Sequence, residues 1–227
     1  MEFDFTVRTK QDLIDAVERF GFVPLFSGAV PGFSVEEHAV RDVWYTSDSG
    51  DWQVWDWKGP VIRESGCAYG KFLENKAVFI SGDWFLDFAN YRRDGYDFDA
   101  RWDDGLARHD DKYLFDLVDQ NAPVLSKRLK MIGGYGKDGR KGFDTVITRL
   151  QAQGYVLIED FIYEKDRLGR EYGWGVARYS TPERFFGPAF RRSVYRRTPE
   201  ESYVRMFRHL KELLPWAEDE QIKKILK

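Results

Sequence analysis

Apolar residues recur at helical spacing between residues 141 and 152. Phe143, Val146, Ile147 and Leu150 fall at i, i+3, i+4 and i+7, which predicts one amphipathic helix. At about 100° per residue, the opposite face carries Lys141, Thr145, Thr148 and Ala152, with Arg149 on one flank and Asp144 on the other. The period then changes from helix to strand. Tyr155 to Tyr163 has strand composition, Asp166-Arg167-Leu168-Gly169 supplies a turn, and Tyr172 to Tyr179 returns with large and small residues alternating. This predicts a β-hairpin tipped by Lys165, Arg167 and Arg170. Upstream, Tyr113 to Val118 predicts a first helix, and Pro123 opens a second that carries Val124, Leu125, Leu129 and Ile132.

Three helices followed by a hairpin is the order of a winged helix-turn-helix unit, expected here from Tyr113 to Tyr179. Outside it, Thr9-Lys10-Gln11-Asp12 predicts a capped helix start, with Leu13, Ile14, Val17 and Phe20 on its apolar face and Gly21 at its end. Phe22-Val23-Pro24-Leu25-Phe26 is too apolar for a solvent loop. Between Trp44 and Phe88, Trp52, Trp55, Trp57 and Trp84 alternate with charged residues, which reads as a β-rich core with a charged rim or as a base-stacking groove. Lys76 to Ser81 reads as a strand and Asp83 to Phe88 as a short helix. The aspartates from Asp94 to Asp111 lack the ligand order of a calcium loop and read as a solvated linker. Ser180-Thr181-Pro182-Glu183 and Thr198-Pro199-Glu200-Glu201 each predict a capped helix, and the tail after Trp216 is short and charged. The expected class is α/β in the broad sense, more narrowly α+β. The expected division is an aromatic-rich α+β part over 1–108, a candidate degenerate winged helix, then a winged helix over 109–182 and a helical extension over 183–227.

Charge narrows the function classes. The 227 residues carry a formal net charge of −3, so bulk attraction to nucleic acid is excluded and any such contact must be local. From Val124 to Gly154, seven basic residues face two acidic ones. Candidate contacts to double-stranded DNA are therefore Lys127, Arg128, Lys130, Lys137, Arg140, Lys141, Thr145, Thr148 and Arg149, with Arg167 and Arg170 on the hairpin. Arg191, Arg192, Arg196 and Arg197 form a second basic cluster, suited equally to a phosphate backbone or to the acidic linker.

Trp57 and Trp84 are candidate base-stacking residues. The three histidines are scattered without metal-ligand spacing, so no metal and no cofactor are expected. Lone Cys67 suits a reducing compartment. With no membrane-length apolar run and no secretory leader, a cytoplasmic protein without membrane contact is expected. Gly133-Gly134-Tyr135-Gly136-Lys137 lacks the spacing of a phosphate loop and reads as a turn.

Phe20-Gly21-Phe22-Val23 after a capped helix, the stretches around Trp57-Lys58 and Tyr69-Gly70-Lys71, and the winged unit together resemble the AlkZ (YcaQ) family of winged-helix DNA glycosylases. The shorter bacterial proteins described as AlkZ-related are the nearer likeness. The resemblance implies tandem winged-helix units gripping DNA and metal-free excision of alkylated or cross-linked bases. It places a Gln, an apolar residue and a Gln or Asp after the Phe-Val, where the polar pair activates water. Here Pro24, Leu25 and Phe26 stand at those positions and none can do so. Gln151-Ala152-Gln153 has suitable letters in the wrong place. The expectation is a DNA-binding protein without the family's catalysis. The alternatives are a glycosylase with a relocated carboxylate at Glu64 or Asp83, and an interaction or small-molecule module with a pocket of Trp52, Trp55 and Tyr69.

Overall fold

Thr9 opens the first helix. Its hydroxyl accepts a hydrogen bond from the Asp12 backbone N–H and the Asp12 carboxylate accepts one from the Thr9 N–H, so two orphan donors of α1 (Lys10–Phe20) are satisfied. Leu13, Ile14, Val17 and Phe20 are buried on one face. Gly21 ends the helix at φ 77°, and a side chain there would collide with the Trp84 ring.

The computed structural model describes residues 2–44 and 53–227, so Trp52 lies outside the described residues. After α1 come β1 (Phe22–Pro24), the short helices α2 (Val35–His38) and α3 (Arg41–Trp44), then α4 (Val54–Ser65), β2 (Ala68–Leu73) and β3 (Lys76–Ile80). These strands form an antiparallel sheet in the order β1-β3-β2. Helices α5 (Gly82–Arg93) and α6 (Phe98–Asp103) lead to α7 (His109–Asn121), β4 (Val124–Leu125), α8 (Ser126–Ile132), α9 (Phe143–Ala152), β5 (Leu157–Lys165) and β6 (Glu171–Ser180). The second sheet is again antiparallel, in the order β4-β6-β5. Helices α10 (Pro182–Phe185), α11 (Pro188–Ser193), α12 (Pro199–Leu213) and α13 (Asp219–Leu226) follow. The chain is α+β, with helices around two small antiparallel sheets.

The two sheets close in the same order. In each, a helix leads into a short strand, further helices intervene, and a hairpin returns so that its second strand lies in the middle. The two parts dock reciprocally: α4 packs on β5, α9 packs on β2, and β2 lies against β5. Close approach needs small residues. Gly59 lets α4 lie on β5, because a side chain there would meet the Asp160 carboxylate at 2.8 Å. Arg63 of α4 pairs with Asp160, while Gln151 of α9 accepts from the Lys71 backbone N–H of β2 at 3.0 Å. The second contact satisfies the buried Gln151 carbonyl oxygen, and the first adds to the bonds that buried Asp160 accepts from Arg178 and the Phe161 N–H.

The aromatic residues fill this core. Phe3, Phe20 and Phe33 cluster around α1, while Phe72, Phe85, Phe88, Phe186 and Phe190 form a continuous run between β2, α5 and α11. Arg93, fully buried at the end of α5, ties the C-terminal helices to the rest. It donates to Glu183 at 2.6 Å, to the Gly154 carbonyl at 2.7 Å and to the Tyr195 hydroxyl at 3.2 Å. Burial alone would favour its neutral form, but the Glu183 charge outweighs that and holds the guanidinium firmly ionised.

Several sequence expectations are corrected. Val124 and Leu125 are not helical: they pair with Tyr179 and Arg178 as β4, and α8 begins at Ser126. The Trp-rich stretch is less strand-like than expected, because Trp55 and Trp57 belong to helix α4, which runs through Pro60. The acidic stretch is not a solvated linker. Asp94 caps α5, Asp97 caps α6 with its side chain, and Asp111 is buried in α7. The C-terminal tail folds into α13, whose Ile222, Ile225 and Leu226 are buried.

Candidate nucleic-acid interface

The connection between α8 and α9 is an ordered turn. The Tyr135 N–H donates to the Lys130 carbonyl at 2.8 Å, the Arg140 N–H to the Gly134 carbonyl at 2.8 Å, and the Tyr113 hydroxyl to the Gly133 carbonyl at 3.3 Å. Gly133 to Lys137 thus form a turn, as their composition predicts. Arg140 lies over the Tyr113 ring at 4.0 Å, which fixes its direction while leaving it exposed. Lys141 donates to the carbonyls of Gly136 and Lys137. Exposed Arg128, Lys137, Arg140, Lys141 and Arg167 have no carboxylate partner among the described residues, so no opposite charge neutralises them there.

The remaining candidate cations are partly neutralised. Lys127 pairs with Glu164 across to β5, Lys130 with Asp144 at 3.2 Å, and Arg170 with Asp166 at 2.9 Å. Arg149 is the most firmly held of them. Its Nε and Nη2 donate to the Asp111 carboxylate at 2.8 and 2.5 Å, and Asp111 is only 3% exposed. That hydrogen-bonded pairing raises the Arg149 pKa further.

The outer face of α9 is also less open than its amphipathic pattern suggests. Asp144, Thr145, Thr148, Arg149 and Ala152 form one wall of a groove of about 930 Å³. Tyr91, Arg92 and Asp94 at the end of α5, Arg101 of α6, Asn75 in the β2–β3 turn and Lys227 line the rest. Lys141 and Thr145, at the start of α9, are exposed.

The two stacking candidates are occupied. Trp57 is buried, and the Trp84 ring stacks on His209 at 4.1 Å with Arg205 near it. Of the residues expected to line a ligand pocket, Tyr69 is buried and Trp55 packs against Phe26 and Trp44. The most exposed tryptophan among the described residues is instead Trp174 on β6, at 79% of its possible surface, between Gly173 and Gly175, with Leu168 also exposed at the hairpin turn. The glycine-flanked Trp was the available sequence signal for it.

Lys58 of α4 was not singled out by its sequence context. Its amine lies 4.3 Å from the Phe161 ring centroid and 5.2 Å from that of Trp55, and burial pushes its pKa down to about 8. The Asp56 carboxylate, which opposes that shift, accepts from the Tyr163 hydroxyl at 2.9 Å. Buried Cys67 is held as a thiol, its pKa pushed up to about 12 by burial. Among the described residues no three His, Cys, Asp or Glu side chains converge as a metal site, and no helix is long and apolar enough to cross a membrane.

A family model for AlkZ-related proteins matches residues 7–227, nearly the whole chain and both sheets. The chain belongs to the AlkZ-related family. Neither a curated protein nor a solved structure matches it. In this AlkZ-related protein, Pro24, Leu25 and Phe26, where the resemblance would place a water-activating signature, lie in or against the core. Pro24 ends β1, Leu25 is 1% exposed and donates its N–H to the Ala77 carbonyl, and Phe26 packs on Trp55. None offers a proton acceptor. The relocated-carboxylate candidates are equally plain: Glu64 pairs with Lys10 at the surface, and Asp83 is exposed on the first turn of α5.

Proposed function

We propose that this AlkZ-related protein binds double-stranded DNA and does not excise bases. In this reading the unit from α7 to β6 is a winged helix. Its element order and the β4-β6-β5 sheet support that, with β4 as the short strand between the first two helices. The observation that carries the proposal is the group Arg128, Lys137, Arg140, Lys141 and Arg167, exposed and without a carboxylate partner among the described residues, on α8, the α8–α9 turn and the hairpin of a net acidic chain. Such a patch draws phosphates locally while the rest of the molecule repels them.

The groove beside α9 shapes how a duplex docks. Thr145 at the helix start faces the base edges and Lys141 joins it by releasing the Gly136 and Lys137 carbonyls, while Lys127, Lys130 and Arg170 give up their surface partners to phosphates. Thr148 lies deeper in the groove, and Arg149 stays with Asp111. This resembles the way helix-turn-helix proteins present the N-terminal residues of the recognition helix. The absence of a proton acceptor at Pro24, Leu25 and Phe26 supports binding without excision.

An electrophoretic shift titration with duplex DNA at two salt concentrations tests the binding. Incubation with alkylated duplex followed by alkali tests the chemistry. A salt-sensitive complex without strand cleavage is expected, and cleavage at lesions would replace this reading with that of a glycosylase.

A further inference from the structure

Helix α12 carries arginines that the proposed interface does not use. Arg205 and Arg208 lie about one turn apart on it, and Arg196 and Arg197 precede its start. With Glu200, Glu201 and Val204 they line a concavity of about 610 Å³. Two of the guanidinium groups are anchored from below. Arg197 Nη1 lies 3.5 Å from Asp87 Oδ1 and Arg205 Nε lies 3.1 Å from Asp87 Oδ2. Asp87 is 3% exposed, whereas the two arginine side chains are 43% and 47% exposed. One buried carboxylate therefore fixes two guanidinium groups, balances one of their charges and leaves their other N–H donors toward solvent.

The rest of the lining adds to the imbalance. Arg196 and Arg208 are exposed without a carboxylate partner among the described residues. The Glu201 carboxylate is committed to the helix cap, where it accepts from the Thr198 N–H at 2.9 Å. Glu200 and Glu201 thus set two carboxylates against four guanidinium groups in the lining. Arg191 and Arg192 on α11 are also exposed, and among the described residues none of Arg191, Arg192, Arg196 and Arg197 pairs with the aspartates between Asp94 and Asp111.

We infer that this concavity is a phosphate site for the DNA backbone, separate from the α8–α9 surface. The inference rests on the DNA-binding reading. Guanidinium groups present paired donors that match phosphate oxygens, and a carboxylate beneath them fixes their direction before the ligand arrives. An acidic protein partner fits less well, because Val204 is the lone apolar side chain in the lining and a protein interface needs an apolar centre.

Fluorescence anisotropy of a labelled duplex, titrated with the full chain over a series of salt concentrations, tests the inference. The variant R196Q/R208Q removes two unpaired charges and spares the Asp87 anchor, so its thermal midpoint should match the wild type. Its slope of log K against log salt should be shallower by about 1.8, at about 0.9 per lost phosphate contact. Wild-type binding with an unchanged slope in the variant overturns this site alone. No wild-type binding at low salt overturns the DNA reading and this site with it. An unchanged slope, with inorganic phosphate raising the thermal midpoint of the wild type but not of the variant, reassigns the concavity to a free anion and equally overturns the duplex contact.

Discussion

Arg149 and Asp111 form a two-pronged pair, with guanidinium nitrogens 2.5 and 2.8 Å from one carboxylate oxygen, joining α9 to α7 across 38 residues of sequence. Arg149, one of the candidate DNA contacts on α9, thus holds a buried carboxylate at the wall of a groove. Arg149→Ala leaves Asp111 buried without a counter-charge and should cost about 3 kcal/mol, the low end for a broken buried pair because Arg149 is itself partly solvated. Urea unfolding measures this. Lys137→Ala, which removes an exposed and unpaired cation, should change stability by less than about 0.5 kcal/mol.

Arg93 holds three separate segments through Glu183, Gly154 and Tyr195. Arg93→Met keeps much of the volume but orphans Glu183 and the Gly154 carbonyl. A loss of about 3–5 kcal/mol is expected in the same unfolding experiment. A loss below 1 kcal/mol, on the order of one ordinary hydrogen bond, would show that the hub is not needed to join α5 to the C-terminal helices.

His209 gives a pH dependence. Its Nε2–H donates to the Phe20 carbonyl at 2.8 Å and its ring stacks on Trp84; burial first, and nearby Arg205, lower its pKa below 6.5 despite the Phe20 bond and Glu212. A lowered folded-state pKa means that the unfolded chain takes up the proton first as pH falls. Stability present above about pH 6.5 is therefore lost progressively below it. His209→Gln can keep the bond to Phe20 without titrating, so its thermal midpoint should fall less between pH 7 and 5. Equal falls in both proteins would remove His209 from the acid response.

Lys58 should titrate separately from the surface lysines. With its pKa near 8, its rate of reductive methylation should level off just above that pH, while ordinary lysines keep accelerating toward about 10.4. Peptide mass mapping after short pulses at successive pH values reads this. The same shift makes the fold gain stability as pH rises through the window from about 8 to the ordinary lysine range, since only the unfolded chain keeps the proton there.

The sequence was most legible where a local rule sufficed. Thr9 and Thr198 with their N3 carboxylates announced α1 and α12, and the Phe143 to Leu150 period announced α9. β4 was hidden because Val124-Leu125 is as compatible with a helix as with a strand until Tyr179 and Arg178 pair with it. α4 was hidden because Gly59 and Pro60 argue against a helix, and only the close approach of β5 explains Gly59. Within the site, exposure of Lys137, Arg140 and Lys141 matched their polar surroundings. The burial of Trp57, the His209 stack on Trp84 and the Asp111 partner of Arg149 depend on residues distant in sequence, which periodicity does not encode.

The most direct measurement is anisotropy of a labelled duplex with the wild type and with Lys137→Glu/Lys141→Glu, at low and at raised salt. Both lysines are exposed and free of carboxylate partners, and because Lys141→Glu also removes the bonds to the Gly136 and Lys137 carbonyls, the thermal midpoint of the variant is measured beside its binding. The wild type should bind at low salt and weaken as salt rises, and the variant should bind at least about tenfold more weakly. No binding by the wild type at low salt, or equal binding by a correctly folded variant, would contradict a DNA-facing surface at the start of α9.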